Sequence, residues 1–319
     1  MSILISKPGI LTTVQDLGRF GYRRFGINPG GVMDPAAGRI ANILVGNSDG
    51  PALLEMHFPA AEIEFETEAV FAICGGDLGA ELNGRRVDGW RAIAASQGSS
   101  LSFSSKLRGE RCYLAVRGGL RVEEWLGSSA TNLAAGIGGH EGRRLNAGDR
   151  LDVGIHNAVR VDAKLPAAAP SLSPRYSRLP TVRIVAGAEY DALDQTSRAK
   201  LINNTFAITS RSDRMGFRLE GDPLTVAPET QLVSSATNFG TIQLLPDGQM
   251  IILMADQQTA GGYPRIAHVI SRDLPLVAQL GANDKLAFHL IEISEAERLA
   301  VEFERELSFL RAACRFFYR

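Results

Sequence analysis

The stretch Ile63-Glu64-Phe65-Glu66-Thr67-Glu68-Ala69-Val70-Phe71-Ala72-Ile73-Cys74-Gly75-Gly76-Asp77 decides how this chain is read. Ile63 to Thr67 and Val70 to Cys74 are short runs of β-branched and aromatic residues, and the glycines and aspartate that follow are turn residues. Cys112 to Val116 repeats the pattern, so Ala61 to Gly154 reads as mostly β. Farther on, Val182 to Val185, the fully apolar Met250 to Met254 and Lys285 to Ile293 read as strands in the same style. The chain is therefore expected to be mainly β, with peripheral helices.

The helices announce themselves by their ends. Asp34-Pro35-Ala36-Ala37 opens one with a capping carboxylate and a first-turn proline, Ile40, Ile43 and Leu44 give it an apolar face, and Gly46 can end it. Further helices are predicted around Asp191 to Leu201 and over Arg272 to Leu280. Ser294-Glu295-Ala296-Glu297 reads as a capping box for a last helix, whose stripe of Leu299, Phe303, Leu307 and Leu310 suits a helix covering one end of a barrel. Leu11 to Gly31 has apolar residues too sparse for a strand or a helix face and reads as an ordered loop. Ala163 to Pro180 is dense in Pro, Ala and Ser, which favour neither period. It separates a first domain over 1–165 from a second over 181–319, with 166–180 as linker.

With 319 residues the chain can bury a substantial core, and its 34 basic and 35 acidic residues nearly cancel. Isolated pairs such as Arg23-Arg24, Arg85-Arg86 and Arg143-Arg144 do not make the aromatic-interleaved basic run that nucleic-acid binding needs. Three cysteines without a C-x-x-C spacing argue against a disulfide framework or a zinc ribbon, and fit a reducing cytoplasm. No run of about 18 apolar residues and no leader-like N-terminus is present, so no membrane partner is expected.

Several chemistries fall away on spacing. No P-loop occurs, and Gly136-Ile137-Gly138-Gly139-His140-Glu141-Gly142 lacks the third glycine and the following helix of a dinucleotide fingerprint. His57, His140, His156, His268 and His289 never fall in a metal-binding spacing, so no metal site is expected. Cys74 reads as a small buried hydrophobe rather than a nucleophile.

Two polar clusters in the C-terminal half look like parts of a binding site. They are Ser212 to Leu219, with Asp213 and Arg214, and Ala255 to Pro264, with Asp256, Gln258, Thr259, Gly261, Gly262 and Tyr263. Paired glycines among carboxylates, amides and guanidiniums suit a backbone that approaches a small polar ligand. The Thr12 to Gly21 loop, with Gln15, Asp16 and Arg19, has two readings. It binds an anion, or an Asp16 to Arg19 ion pair holds an irregular segment.

The run Thr12 to Gly21, Gly30-Gly31-Val32-Met33-Asp34 and Ala41 to Asn47 resembles the start of the biotin-dependent carboxyltransferase-like family that includes a 5-oxoprolinase component and urea amidolyase-related proteins. Gly75-Gly76-Asp77, Tyr113 to Gly119, Ser212 to Leu219, Gly240-Thr241-Ile242-Gln243 and Asp256 to Pro264 recur in the family's order, over about residues 3 to 293. Where many relatives carry Arg and Thr in the last of these motifs, this chain has Gln257 and Ala260, and Gly187-Ala188-Glu189 replaces a Gly-Pro-Gln-like turn.

The resemblance implies two cyclophilin-like β-barrel subdomains. It also implies a smaller cyclophilin-like carboxyltransferase partner, a lactam-utilisation partner, and ATP-dependent opening of 5-oxoproline to glutamate. It leaves two other roles in view: carboxyl transfer from a biotinylated partner to urea or a related amide, and neutralisation of an inhibitor of a histidine kinase. No biotin-carrier motif occurs, so biotin is not expected on this chain. Amide resonance makes a lactam a poor electrophile, and phosphorylating its carbonyl oxygen turns that oxygen into a leaving group, which is the purpose of ATP. Such a site needs a guanidinium for the substrate carboxylate, donors for the developing oxyanion, and a carboxylate as base or magnesium ligand. On this reading Arg214 or Arg19 clamps the carboxylate or phosphate, and Asp256 or Asp213 is the base or the magnesium ligand. Gln258, Thr259 and Tyr263 orient the amide, and the Gly261 and Gly262 amides form an anion nest. The competing structural reading pairs Asp213 with Arg214 across a barrel turn.

Overall fold

The computed structural model describes residues 1–154, 165–226 and 232–318; His156 and the first residues of the Ala163–Pro180 stretch lie outside them. Two compact units are present. The first gathers Met1–Arg19, Gly30–Arg175 and Glu304–Arg319, and the second gathers Phe20–Pro29 and Tyr176–Phe303. The main division falls inside the sequence-based linker. Two segments nevertheless belong to the unit opposite the one sequence order suggests: the loop at 20–29, and the chain from 304 onward.

In the first unit a seven-stranded sheet takes the order Leu120–Arg121, Arg150–Val153, Ser2–Lys7, Glu62–Phe65, Ser99–Phe103, Ala80–Leu82, Arg85–Arg86. A five-stranded sheet takes the order Thr12–Gln15, Leu53–His57, Arg108–Val116, Ala69–Asp77, Ala92–Ala95. Both feed one core. Ile3, Ile5, Ile63 and Phe65 come from the first sheet, and Val14, Leu54, Met56, Phe71, Ile73, Leu114 and Val116 from the second. Phe65 stacks on Phe71 with ring centroids 4.9 Å apart. Each such buried side chain contributes about 1.5–3 kcal/mol through loss of apolar surface. Cys74 lies in this interior, where burial pushes its thiol pKa well up, as expected of a hydrophobe.

The helix Pro35–Leu44 forms as its ends dictate. Asp34 Oδ1 accepts from Ala37 N at 2.9 Å, and Gly46, at φ +80°, turns the chain out while its N–H reaches Ile43 O. Ile40, Ile43 and Leu44 are fully buried.

Thr12–Gln15, read from sequence as loop, is instead a strand paired with Leu53–His57, and all four of its residues are buried. Its hydroxyls and amide hid the pattern, because they are satisfied in the interior: Thr12 Oγ1 donates to Pro8 O and Gln15 Nε2 to Thr13 Oγ1 nearby, and Gln15 Nε2 also reaches Thr131 O from elsewhere in the fold.

The second unit is a closed barrel of seven strands, ordered Thr181–Ala186, Arg265–Val269, Thr241–Leu244, Met250–Leu253, Gly216–Glu220, Thr205–Ile208, Lys285–Leu290. The closing pair, Thr181–Ala186 with Lys285–Leu290, is parallel and the others are antiparallel. A short ladder, Ser235–Ala236 with Ala260–Gly261, lies beside it.

The helix expected over Asp191 to Leu201 begins later, at Gln195, because Asp194 caps it by accepting from Ser197 N at 2.6 Å. The helix over Arg272 to Leu280 is confined to Leu274–Ala278. The last helix, Ile293–Phe317, starts one residue before the supposed cap. Glu292 O accepts its first backbone bonds, so Ser294 sits inside the first turn rather than at the cap. Its buried positions, Leu307, Leu310 and Cys314, all lie in the part that belongs to the first unit, so this stretch does not close the second unit's barrel. No helix among the described residues is long and apolar enough to cross a membrane.

Candidate active site

Strand register builds the centre of the site. Gly216 opposes Leu253 in an antiparallel pair, so the residues just before the first strand and just after the second leave the barrel side by side. Met254 N donates to Met215 O at 3.0 Å and Asp256 N to Arg214 O at 2.8 Å, which carries the ladder two steps beyond the strands. The side chains then meet in a two-pronged ion pair. Arg214 Nε donates to Asp256 Oδ2 at 2.8 Å and Nη2 to Oδ1 at 3.1 Å, with the side chains 9% and 14% exposed. Planar matching of this kind is the strong form of a charge-assisted hydrogen bond. From the 20–29 segment of the same unit, Asn28 Nδ2 donates to Asp256 O at 2.8 Å.

Asp213 does something different. Its Oδ1 accepts from Met215 N at 2.8 Å and Gly216 N at 3.2 Å, an Asx turn that sets the backbone leading into the strand. The structural reading that paired Asp213 with Arg214 is therefore corrected: among the described residues Arg214 bonds to Asp256, and Asp213 to the backbone of Met215 and Gly216. Asp213 positions that arginine through the chain.

The second cluster wraps one face of the strand Thr241–Leu244. Alternation places Ile242 and Leu244 on one side of this strand and Thr241 and Gln243 on the other, and all four are buried. Thr237 Oγ1 donates to Gln258 O at 2.6 Å, and Thr237 N donates to Thr259 O at 3.2 Å. Gly261 packs so closely that a Cβ there would lie 2.6 Å from Gln243 Nε2 and 2.7 Å from Gln258 Nε2. Close approach, not an unusual dihedral, is its reason for being glycine. Neither Gly261 nor Gly262 has positive φ, so the alternating backbone of an anion nest is absent there. Gln258, Gly262 and Tyr263 face solvent, with Tyr263 43% exposed.

Sequence reasoning missed a polar seam on the same unit. Thr241 opposes His268, and its Oγ1 lies 3.1 Å from His268 Nδ1 while accepting from Asn238 N at 3.0 Å. Arg23, from the 20–29 segment, donates to Asn238 Oδ1. Burial, then the neighbouring Arg265, push the His268 pKa below its ordinary value, so the ring is neutral at pH 7. Arg265 is clamped by Glu189 through Nη2 at 2.8 Å, Nε at 3.1 Å and its own backbone N at 2.8 Å. Those bonds hold the Glu189 carboxyl below the usual carboxylate range. The unusual Glu189 of the Gly187-Ala188-Glu189 turn was the available signal.

Gln15, Asp16 and Arg19 belong to the first unit and are turned into it. Asp16 Oδ1 accepts from Gly18 N and Ser128 Oγ, both at 2.7 Å, and Oδ2 accepts from Ser129 N at 2.6 Å. Arg19, 1% exposed, donates to Ala130 O and lies 5.2 Å over the Trp125 ring. The expected Asp16 to Arg19 pair is not what holds this segment: each residue grips the 125–131 stretch separately. Of the residues proposed from sequence, the structure thus brings Asp213, Arg214, Asp256, Gln258, Thr259, Gly261, Gly262 and Tyr263 onto one unit. It places Gln15 and Arg19 in the interior of the other, with Asp16 partly buried there.

Comparison with known proteins gives a consistent picture. A family model described as carboxyltransferase domain, subdomain A and B, matches residues 25–290. The chain is 36% identical to a 5-oxoprolinase subunit of Escherichia coli over 98% of its own length and 97% of that protein's. It is 36% identical to the corresponding 5-oxoprolinase subunit of Haemophilus influenzae, over 94% of each. Among solved structures, the K. lactis urea amidolyase superposes with a TM-score of 0.90 at 28% identity. The match covers 97% of this chain but spans only 20% of that one.

Proposed function

The chain belongs to the carboxyltransferase domain family, subdomains A and B, and on that footing we propose that it is a component of an ATP-dependent 5-oxoprolinase. The observation that carries this reading is the end-to-end correspondence with the Escherichia coli 5-oxoprolinase subunit, which leaves almost nothing of either chain unmatched. The partners would be a smaller carboxyltransferase-like subunit and a lactam-utilisation subunit.

In the reaction, ATP is a substrate. Its γ-phosphoryl group moves to the lactam carbonyl oxygen as ADP leaves, water adds to the activated carbon, and collapse of that adduct breaks the C–N bond, the nitrogen taking a proton, to leave an acyl phosphate; a second water then displaces phosphate, so two waters are consumed in forming glutamate, ADP and phosphate. This chain's contribution is to bind and orient. Arg214, its plane fixed by Asp256, meets the substrate carboxylate. Tyr263 and Gln258, exposed, and Thr259, half-buried, lie on the same unit and supply donors toward the amide. His268, with its pKa lowered and its Nδ1 3.1 Å from Thr241 Oγ1, is a group of the right kind to hold or pass a proton.

Among the described residues no three potential ligands cluster, and both Asp256 oxygens already receive Arg214. No step is routed through a metal here.

The test is release of ADP and glutamate on adding 5-oxoproline to the chain alone, and then to its mixture with the two partner subunits. Turnover in the mixture only is expected. Tight association without turnover would instead favour carboxyl transfer to urea or a related amide, the reading that the urea amidolyase likeness supports. Carboxyl uptake from a biotinylated carrier would then decide for it.

A further inference from the structure

The first unit carries a cleft of about 420 Å³, lined by the turn from Gly46 to Asp49 and by Arg117, Arg311, Arg315 and Tyr318. That volume is in the range of small-molecule sites. Its charge is one-sided, with three arginines against a single carboxylate.

Asp49 is already engaged. Arg311 donates to it through Nε at 2.9 Å and Nη2 at 2.7 Å, and Arg39 Nε donates at 2.9 Å, while the remaining nitrogens of Arg39 hold Glu304. Arg117 is fixed and 8% exposed. Its guanidinium lies 4.1 Å over the Tyr318 ring, Nη1 donates to Val45 O at 3.0 Å, and the buried Nε makes no hydrogen bond. Burial lowers its pKa from the ordinary value, as for a cation taken out of water with no carboxylate beside it. Arg315 is exposed and makes no ion pair among the described residues.

A purely structural role for these arginines is to offset helix ends. The helices Pro35–Leu44 and Ile293–Phe317 both terminate here, each worth roughly half a negative charge. Together with Asp49 that balances two arginines and, among the described residues, leaves the third uncompensated.

We propose that this cleft binds the phosphoryl group of a small molecule, with Arg117 and Arg315 as its cationic walls and the Ser48 hydroxyl at its rim. A phosphoryl dianion answers the surplus charge better than a single carboxylate, and planar guanidiniums match its oxygens in pairs. The inference is independent of the 5-oxoprolinase reading.

The experiment is calorimetric titration of the full chain with inorganic pyrophosphate at low salt, for the wild type, Arg315→Glu and Ser48→Glu. Both positions are exposed, and neither side chain makes a hydrogen bond that holds the fold, so thermal melts should coincide. Each variant is expected to weaken binding at least about ten-fold, as loss of a close charge contact does. No binding to the wild type, or equal affinity in all three proteins, overturns the proposal. A parallel titration with ADP identifies the source: tighter binding than pyrophosphate means that the phosphoryl group arrives on a nucleotide, and equal binding means that the anion alone is recognised.

Discussion

Asp256→Asn tests whether the ion pair, rather than the surrounding loops, holds the candidate site together. The substitution keeps the shape of the side chain but removes its charge and turns one acceptor into a donor facing the Arg214 guanidinium, where two hydrogen bonds of 2.8 and 3.1 Å now stand. Breaking one side of a fully buried pair costs about 3–5 kcal/mol, and losing an exposed pair costs about 0–1 kcal/mol. With side chains 9% and 14% exposed, this pair lies nearer the buried limit, and a loss of about 2–3 kcal/mol is expected. For a cooperative unit of this size that lowers Tm by about 4–12 °C. The backbone bond from Asp256 N to Arg214 O survives the change, so the variant should still fold. Thermal melting by circular dichroism gives the number. The companion variant Arg214→Met/Asp256→Leu should recover part of the lost stability, because an apolar pair replaces the guanidinium set against a mismatched amide. Turnover of the reconstituted enzyme should stay low in both. If Asp256→Asn melts within about 1 °C of the wild type, the pair is solvated and the reasoning fails. If the double variant is as unstable as the single one, packing rather than charge was lost.

Three other outcomes follow from the same structure. Asp16→Ala removes an acceptor of three hydrogen bonds and should destabilise the first unit by about 3 kcal/mol, while turnover measured well below Tm stays near wild type. Lost catalysis in a folded Asp16→Ala protein would restore the anion-binding reading of that loop. His268 has a depressed pKa in the folded state, so the unfolded chain binds its proton first as pH falls, and stability should decline from about pH 6.5 down toward the folded value. His268→Gln should flatten the Tm profile in that window, and an unchanged slope would refute the assignment. Gly261→Ala should cost about 1–3 kcal/mol, because Gln243, 1% exposed, has no space into which to move; a melt identical to wild type would show that the amides are free to shift.

What the sequence disclosed depended on how local its physical cause was. The helix at Pro35–Leu44 was legible because Asp34, Pro35 and Gly46 act on their own neighbours. The pairing of Arg214 with Asp256 was half legible: the two clusters stood out by composition, but what joins them is the register of Gly216 against Leu253, which no local pattern encodes. Thr12–Gln15 was missed because Gln15 finds an acceptor at Thr131, 116 residues away. The same distance explains why Asp16 and Arg19 looked like ligands. Their real partners, Ser128, Ser129 and Ala130, lie more than a hundred residues downstream, and composition alone cannot separate a carboxylate that anchors a turn from one that meets a substrate. The His268 and Thr241 contact escaped for a related reason, since it exists only across a strand pair.

The exchange of segments between the two units bears on how the chain is made. Glu304 holds Arg39, Arg311 holds Asp49, and Tyr318 Oη donates to Leu44 O, so the end of the chain completes a structure begun near its start. On the ribosome, the first unit therefore cannot finish folding when its own strands have emerged, and must wait until the segment from Glu304 onward has been synthesised. Expressing residues 1–175 alone should yield a soluble but loosened product that residues 304–319, supplied as a separate peptide, would tighten. A stop codon ahead of Glu304 would accordingly injure the unit whose strands were translated first.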